Sequence, residues 1–218
     1  MSMSLFDLFK VGIGPSSSHT VGPMWAANRF LLDLEAQGLL GAVATVEVGL
    51  YGSLALTGKG HNTDIAVLLG LAGERPDRVD PDAVSGIIEA IRENGRLALF
   101  GRQDIAFQES AHLQFHFLEC LPKHPNGIAF KACDGAGAVL LEQIYYSVGG
   151  GFVLSDAEMD PEQDDFGENV ALPYPFESAE ELLAIGARTG LTISEILLEN
   201  EKTWRNMAEI EEGLRAIC

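Results

Sequence analysis

At 218 residues with 47% hydrophobic side chains, the chain can bury one full-sized core and a smaller appendage. Its net charge of −18 opposes a nucleic-acid partner, because that affinity comes largely from Lys and Arg displacing condensed counterions. No apolar run nears the roughly eighteen residues of a membrane span, and the opening Met1-Ser2-Met3-Ser4-Leu5-Phe6-Asp7 lacks a basic and apolar leader, so a soluble, cytoplasmic protein with no membrane partner is expected.

A short opening helix is expected over Leu5 to Phe9, followed by a Gly/Ser-rich loop from Val11 to Thr20. Gly22-Pro23 starts a helix with proline in its first turn, and Met24, Ala27, Leu31 and Leu34 give its buried stripe before Gly38 stops it. Val43 to Tyr51 alternates as a half-buried strand with Val46, Val48 and Leu50 on one face. Helices follow from about Thr63 to Gly73 and from near Pro81 to Gly95, with Val84, Ile87, Ile88 and Ile91 on the buried side of the second. From about Leu97 the period is two, through Leu113, Phe115 and Phe117, then Ile128 to Ala132, Val139 to Tyr146 and Phe152 to Leu154. These predict a meander of antiparallel strands turning at Asp134-Gly135 and Gly149-Gly150-Gly151. The fold class expected is α+β, a mainly antiparallel sheet with helices on one face, over residues 1–155.

No Lys or Arg occurs between Cys133 and Ala187, while Asp156, Glu158, Asp160, Glu162, Asp164, Asp165 and Glu168 arrive in quick succession. That composition predicts an acidic linker over residues 156–176. Beyond it, over 177–218, Ser178-Ala179-Glu180-Glu181 and Thr192-Ile193-Ser194-Glu195 read as capping boxes, the second opening a long amphipathic segment to Ile217.

Three polar segments could carry chemistry. Ser16-Ser17-Ser18-His19-Thr20 precedes a helix start, where free backbone N–H groups and the positive dipole end favour an anion; a flexible loop with a capping serine is the plainer reading. Gly58-Lys59-Gly60-His61-Asn62-Thr63-Asp64 resembles a phosphate loop, but Gly60 stands where a Mg²⁺-binding hydroxyl belongs, so nucleotide binding is rejected in favour of an Asn62 or Thr63 cap. Pro122-Lys123-His124-Pro125-Asn126-Gly127 reads first as a surface turn. Together, Lys59, Lys123, His19, His61 and His124 are local sources of positive charge in an acidic chain, where a small anion would be drawn. Cys120, Cys133 and Cys218 are too widely spaced for a CxxC pair, and His112 with His116 fall in a strand pattern, so no metal site is expected on this chain.

The stretches Gly14-Pro15-Ser16-Ser17-Ser18-His19-Thr20-Val21-Gly22-Pro23, Tyr51-Gly52-Ser53-Leu54-Ala55-Leu56-Thr57-Gly58-Lys59-Gly60-His61 and Tyr145-Tyr146-Ser147-Val148-Gly149-Gly150-Gly151-Phe152, with the Pro122–Gly127 turn, resemble the beta domain of iron–sulfur L-serine dehydratases. The resemblance implies deamination of L-serine to pyruvate and ammonia with a four-iron, four-sulfur (4Fe-4S) cluster and without pyridoxal phosphate. That family's cluster cysteines belong to an alpha domain that has barely begun at Cys218, so the resemblance implies an alpha domain supplied either by a separate partner chain or by a continuation of this one. By the same resemblance Ser16, Ser18 and Thr20 would help bind the serine carboxylate or lie close to the bound substrate, while His61, with Thr63, is the first choice for acid/base work and His19 the second. Thr63, His124 and Asn126 would line the same pocket. The family's beta domain is similar in fold to the allosteric substrate-binding domain of some phosphoglycerate dehydrogenases, so a non-catalytic domain that binds serine or another small anion is the alternative. A homodimer is expected, because an open sheet leaves edges and a face to cover.

Overall fold

The computed structural model describes residues 4–9, 11–160 and 171–217. The chain divides into two units: residues 12–163, and the two ends, residues 1–11 with 164–218. In chain order the helices are α1 (Leu5–Leu8), α2 (Gly22–Ala36), α3 (Ser53–Thr57), α4 (Thr63–Ala72), α5 (Val84–Asn94), α6 (Glu109–His112), α7 (Ala179–Thr189), α8 (Ile193–Glu201) and α9 (Met207–Ile217). The strands are β1 (Thr45–Tyr51), β2 (Arg96–Leu99), β3 (Gln103–Ala106), β4 (Leu113–His116), β5 (Gly127–Cys133), β6 (Val139–Gly149) and β7 (Phe152–Ser155).

In the unit of residues 12–163 five strands form one sheet in the order β4-β1-β5-β6-β7, and β2 with β3 make a separate hairpin. The expected meander exists as β5-β6-β7, with Phe130 opposite Gln143 and Tyr146 opposite Leu154. The alternation at Leu113 and Phe115 does not extend it. It belongs to β4, which lies parallel to β1 with Val48 opposite Leu113, so the sheet is mixed. A parallel neighbour needs a crossover rather than a tight turn, and residues 52–112, with α3 to α6 and the hairpin, are that crossover. Nothing in a four-residue alternation tells which direction the strand will run.

The core is one apolar cluster drawn from this sheet, the β2–β3 hairpin and α2, α4 and α5. Met24, Ala27, Leu31 and Leu34 are all buried on α2, and Val46, Val48 and Leu50 form the buried face of β1, as the periodicities require. Phe130 stacks on Phe30 at 5.1 Å and meets Tyr145 edge-on, joining sheet to helix through rings.

Of the acidic stretch, residues 161–170 lie outside the described residues, but its first acids are engaged. Asp156 and Asp160 both hold Lys123, and Glu158 takes the Arg29 guanidinium through both oxygens at 3.0 Å. These residues finish the sheet unit.

In the unit formed by the ends, Ile185, Ile196 and Ile210 are buried, one from each C-terminal helix. Glu201 is buried and bound by Ser4 and Arg205, while the Arg205 guanidinium lies 4.6 Å from the Phe6 ring centre. Thr192 and Glu195 form the reciprocal capping box expected of them. The long segment expected to follow is two helices, α8 and α9, interrupted at residues 202–206.

Candidate active site

The helix that carries the serine-rich segment begins earlier than its proline suggests. Ser16 is extended and caps the turn, its hydroxyl accepting from the His19 N–H at 3.1 Å. Ser17–Val21 is a π-helical turn running directly into α2: the Val21 and Gly22 N–H groups reach back five residues, to the Ser16 and Ser17 carbonyls. Pro23 has no N–H to give the His19 carbonyl, so a regular ladder could not pass through this point. Residues 17–20, expected in a loop, are therefore helical. The N–H groups of Ser17 and Ser18 head the helix, where a helical ladder supplies no acceptor for them.

At the end of β1 the chain turns at Gly52, whose φ of 55° and ψ of −125° suit only glycine; a Cβ there would also stand 2.3 Å from the Pro125 carbonyl oxygen. The turn delivers Ser53 to the head of α3, with its N–H on the Pro125 carbonyl at 2.9 Å. The Ser53 hydroxyl lies 2.9 Å from His19 Nε2, and the Ser18 hydroxyl is 2.9 Å from His19 Nδ1. Both ring nitrogens of His19 are thus engaged by groups that can donate or accept, which lets a neutral ring take either tautomer.

Gly58–His61 forms a 3-10 turn, and Asn62, left-handed at φ 56°, passes the chain into α4. Asn62 occupies the cap position without a side-chain bond. Two threonines tie this turn to the first one. Thr20 donates to the His61 carbonyl at 2.8 Å, and Thr63 donates to the His19 carbonyl at 2.6 Å. Each buried hydroxyl therefore fixes the backbone of the opposite histidine, and the two rings stand 5.0 Å apart, tilted by 43°. His61 Nδ1 is 2.9 Å from the Thr57 carbonyl oxygen, which can only accept. The proton of a neutral ring therefore resides on Nδ1, leaving Nε2 with its lone pair and no partner among the described residues.

The third turn joins the same framework through Pro125, which holds Ser53. His124 Nδ1 accepts from the Asn126 N–H, and Asn126 exchanges two bonds with the backbone of Ser147, one through its side-chain amide and one through its carbonyl. The lysines behave differently from expectation. Lys59 pairs at 2.9 Å with Asp64, a buried carboxylate, and packs on Phe115; Lys123 is taken by Asp156 and Asp160. Their charge is compensated, so the turns offer an anion N–H and hydroxyl donors more than net positive charge.

Burial is the main cause that holds His19 below its ordinary pKa, with the nearby His61 next, against an opposing hydrogen bond at Ser53. Burial also lowers His124. His19 is consequently a neutral imidazole around pH 7. Sequence reasoning brought Ser16, Ser18, His19, Thr20, His61 and Thr63 to one place, and passed over Ser53 and Ser147. Both sit in the stretches that carried the resemblance.

Cys120 is exposed and Cys133 buried, and the described residues bring together no group of three His, Cys, Asp or Glu able to hold a metal. His116 stacks on Tyr51 at 4.3 Å and meets Glu119, while His112 caps a separate turn at Gln108. No helix of the described residues is long and apolar enough to cross a membrane.

The family described as "Serine dehydratase beta chain" matches residues 4–158. The chain is 48% identical over 217 residues to an L-serine dehydratase of Streptomyces coelicolor, covering 100% of this chain and 48% of the relative. It is 46% identical over 211 residues to L-serine dehydratase 1 of Escherichia coli, covering 96% of this chain and 45% of the relative. An L-serine dehydratase of Helicobacter pylori is 41% identical over 205 residues, or 94% of this chain and 44% of the relative. The chain thus spans about half the length of the curated relatives it matches.

Proposed function

The chain belongs to the serine dehydratase beta-chain family, and from that membership and the geometry of its turns we propose that it supplies the substrate side of an L-serine ammonia-lyase, completed by an alpha domain or alpha chain. The observation that carries the reading is the cross-braced histidine pair, with an open Nε2 on His61.

On this reading the serine carboxylate lies at the Ser17 and Ser18 N–H groups, with the Ser16 and Ser18 hydroxyls near it. His61 Nε2 takes the α-proton, and the substrate hydroxyl leaves as water on receiving a proton back from the imidazolium so formed. The resulting enamine tautomerises to an imine, which water hydrolyses to pyruvate and ammonium. His19 stays neutral between Ser18 and Ser53, able to pass a proton by exchanging tautomers. Thr20 and Thr63 act here on the two histidine carbonyls, and His124 and Asn126 form the adjoining wall.

The 4Fe-4S cluster that the resemblance implies does not fit the described residues of this chain, which gather no set of ligands for it; on this reading it belongs to the alpha partner. The test is anaerobic reconstitution with iron and sulfide, with and without a cognate alpha domain. Serine-dependent pyruvate formation only in the assembled enzyme is the expected result. Tight L-serine binding by the assembly without any pyruvate would overturn the catalytic reading in favour of a regulatory binding domain.

A further inference from the structure

Ser147, on β6, lies in a stretch whose chemistry the histidine pair leaves unused. Its side chain is 1% exposed, and its hydroxyl has no hydrogen-bond partner among the described residues. A buried hydroxyl is normally satisfied, so this one is not explained by a bond it makes. What it touches is Gly22: a Cβ built there would lie 2.0 Å from Ser147 Oγ and 2.8 Å from Ser147 Cβ. Gly22 itself has φ −59° and ψ −53°, ordinary helical values at which alanine would be the better helix former. The backbone conformation thus gives no reason for glycine at this position, and the contact with Ser147 does.

Each residue of the contact is also tied by its backbone to one of the polar turns. The Gly22 N–H binds the Ser17 carbonyl, so a displacement of Gly22 moves the head of the serine turn. The backbone of Ser147 grips Asn126 through two bonds of 3.0 Å. We infer that Ser147 and Gly22 form a steric interlock that sets the spacing between the Ser16–Val21 turn and the Pro122–Gly127 turn, which makes Ser147 a positioning residue for the substrate. The kinetic half of this inference rests on the proposed serine function; the structural half does not.

A double-variant cycle tests both halves. In the isotope-labelled 218-residue chain, Gly22→Ala should move the Asn126 side-chain amide and His19 ring resonances, although the added methyl's nearest neighbours are Ser147 and the Ser17 carbonyl oxygen. In the assembled enzyme the same variant should raise KM for L-serine by about tenfold with a smaller change in kcat, and Ser147→Gly alone by about twofold. Combining the two substitutions removes the clash, so KM should return to within about threefold of wild type and the resonances towards their original places. If Gly22→Ala alone does not fold, a folded and restored double variant is the expected result. Effects that simply multiply, or a double variant no better than Gly22→Ala, would overturn the interlock. Coupled resonances in a wild-type enzyme that turns over no serine would uphold the interlock and refute the serine function separately.

Discussion

The His19 and His61 turns are built alike and finish differently. Each follows a glycine-containing polar run, each leads into a buried helix, and each has its carbonyl pinned by a threonine from the other turn. Yet His19 has hydroxyls at both ring nitrogens, whereas His61 has a carbonyl at Nδ1 and an open Nε2. A ring saturated by hydrogen bonds must give one up to take a proton from a substrate. A ring with one nitrogen fixed as donor presents the other as a base in a known direction. The same residue type thus becomes a relay in one turn and an acceptor in the other, through the second partner alone.

The largest effect should come from removing the open nitrogen. His61→Gln in the assembled enzyme should lower kcat by roughly 10²–10⁴-fold while L-serine KM changes little, as expected for a lost general base. His19→Gln should cost less, about tenfold to a hundredfold in kcat, because the amide can still bridge Ser18 and Ser53 but cannot exchange tautomers. Equal losses in the two variants would erase the distinction between the turns. Ser53→Ala should fall below both, at several-fold in kcat, since it removes one partner of His19 and leaves the ring in place.

Stability against pH sharpens the same contrast. His19 is held below its ordinary 6.5, so the unfolded chain binds its proton more readily than the folded one. The stability it contributes is present above that value and is lost as pH falls through the lowered folded pKa. The thermal stability of wild type should therefore fall as pH drops from 6.5 towards that lower value, and His19→Gln should show a shallower decline over the same window. The smallest effect belongs to the partly exposed Lys123 cluster. Lys123→Met should lower the melting temperature slightly, with a difference that shrinks in added salt and leaves turnover unchanged.

Much of the framework could be read in the sequence because its signals are local. The α2 stripe, the alternation of β1 and the Thr192 capping box each repeat over a few residues and need no knowledge of the rest of the chain. The β5-β6-β7 meander followed from turn chemistry for the same reason. The parallel seat of β4 did not, because strand direction is decided by the sixty-odd residues of crossover and not by the strand. Lys59 and Lys123 read as free positive charge because Asp64 is hidden inside α4's first turn, while Asp156 and Asp160 belong to a stretch whose composition imitates a linker. Ser53 and Ser147 carry no signal of their own. One matters by where the Gly52 turn places it, the other by the side chain that Gly22 lacks.

The claim that His61 Nε2 receives the α-proton is tested most directly by following release of the α-deuteron from L-[2-²H]serine to solvent in the assembled enzyme, for wild type, His19→Gln and His61→Gln. The account predicts release in wild type, slowed release in His19→Gln, and release slowed by roughly 10²–10⁴-fold in His61→Gln while that variant still binds serine. Release at the wild-type rate from His61→Gln would contradict it.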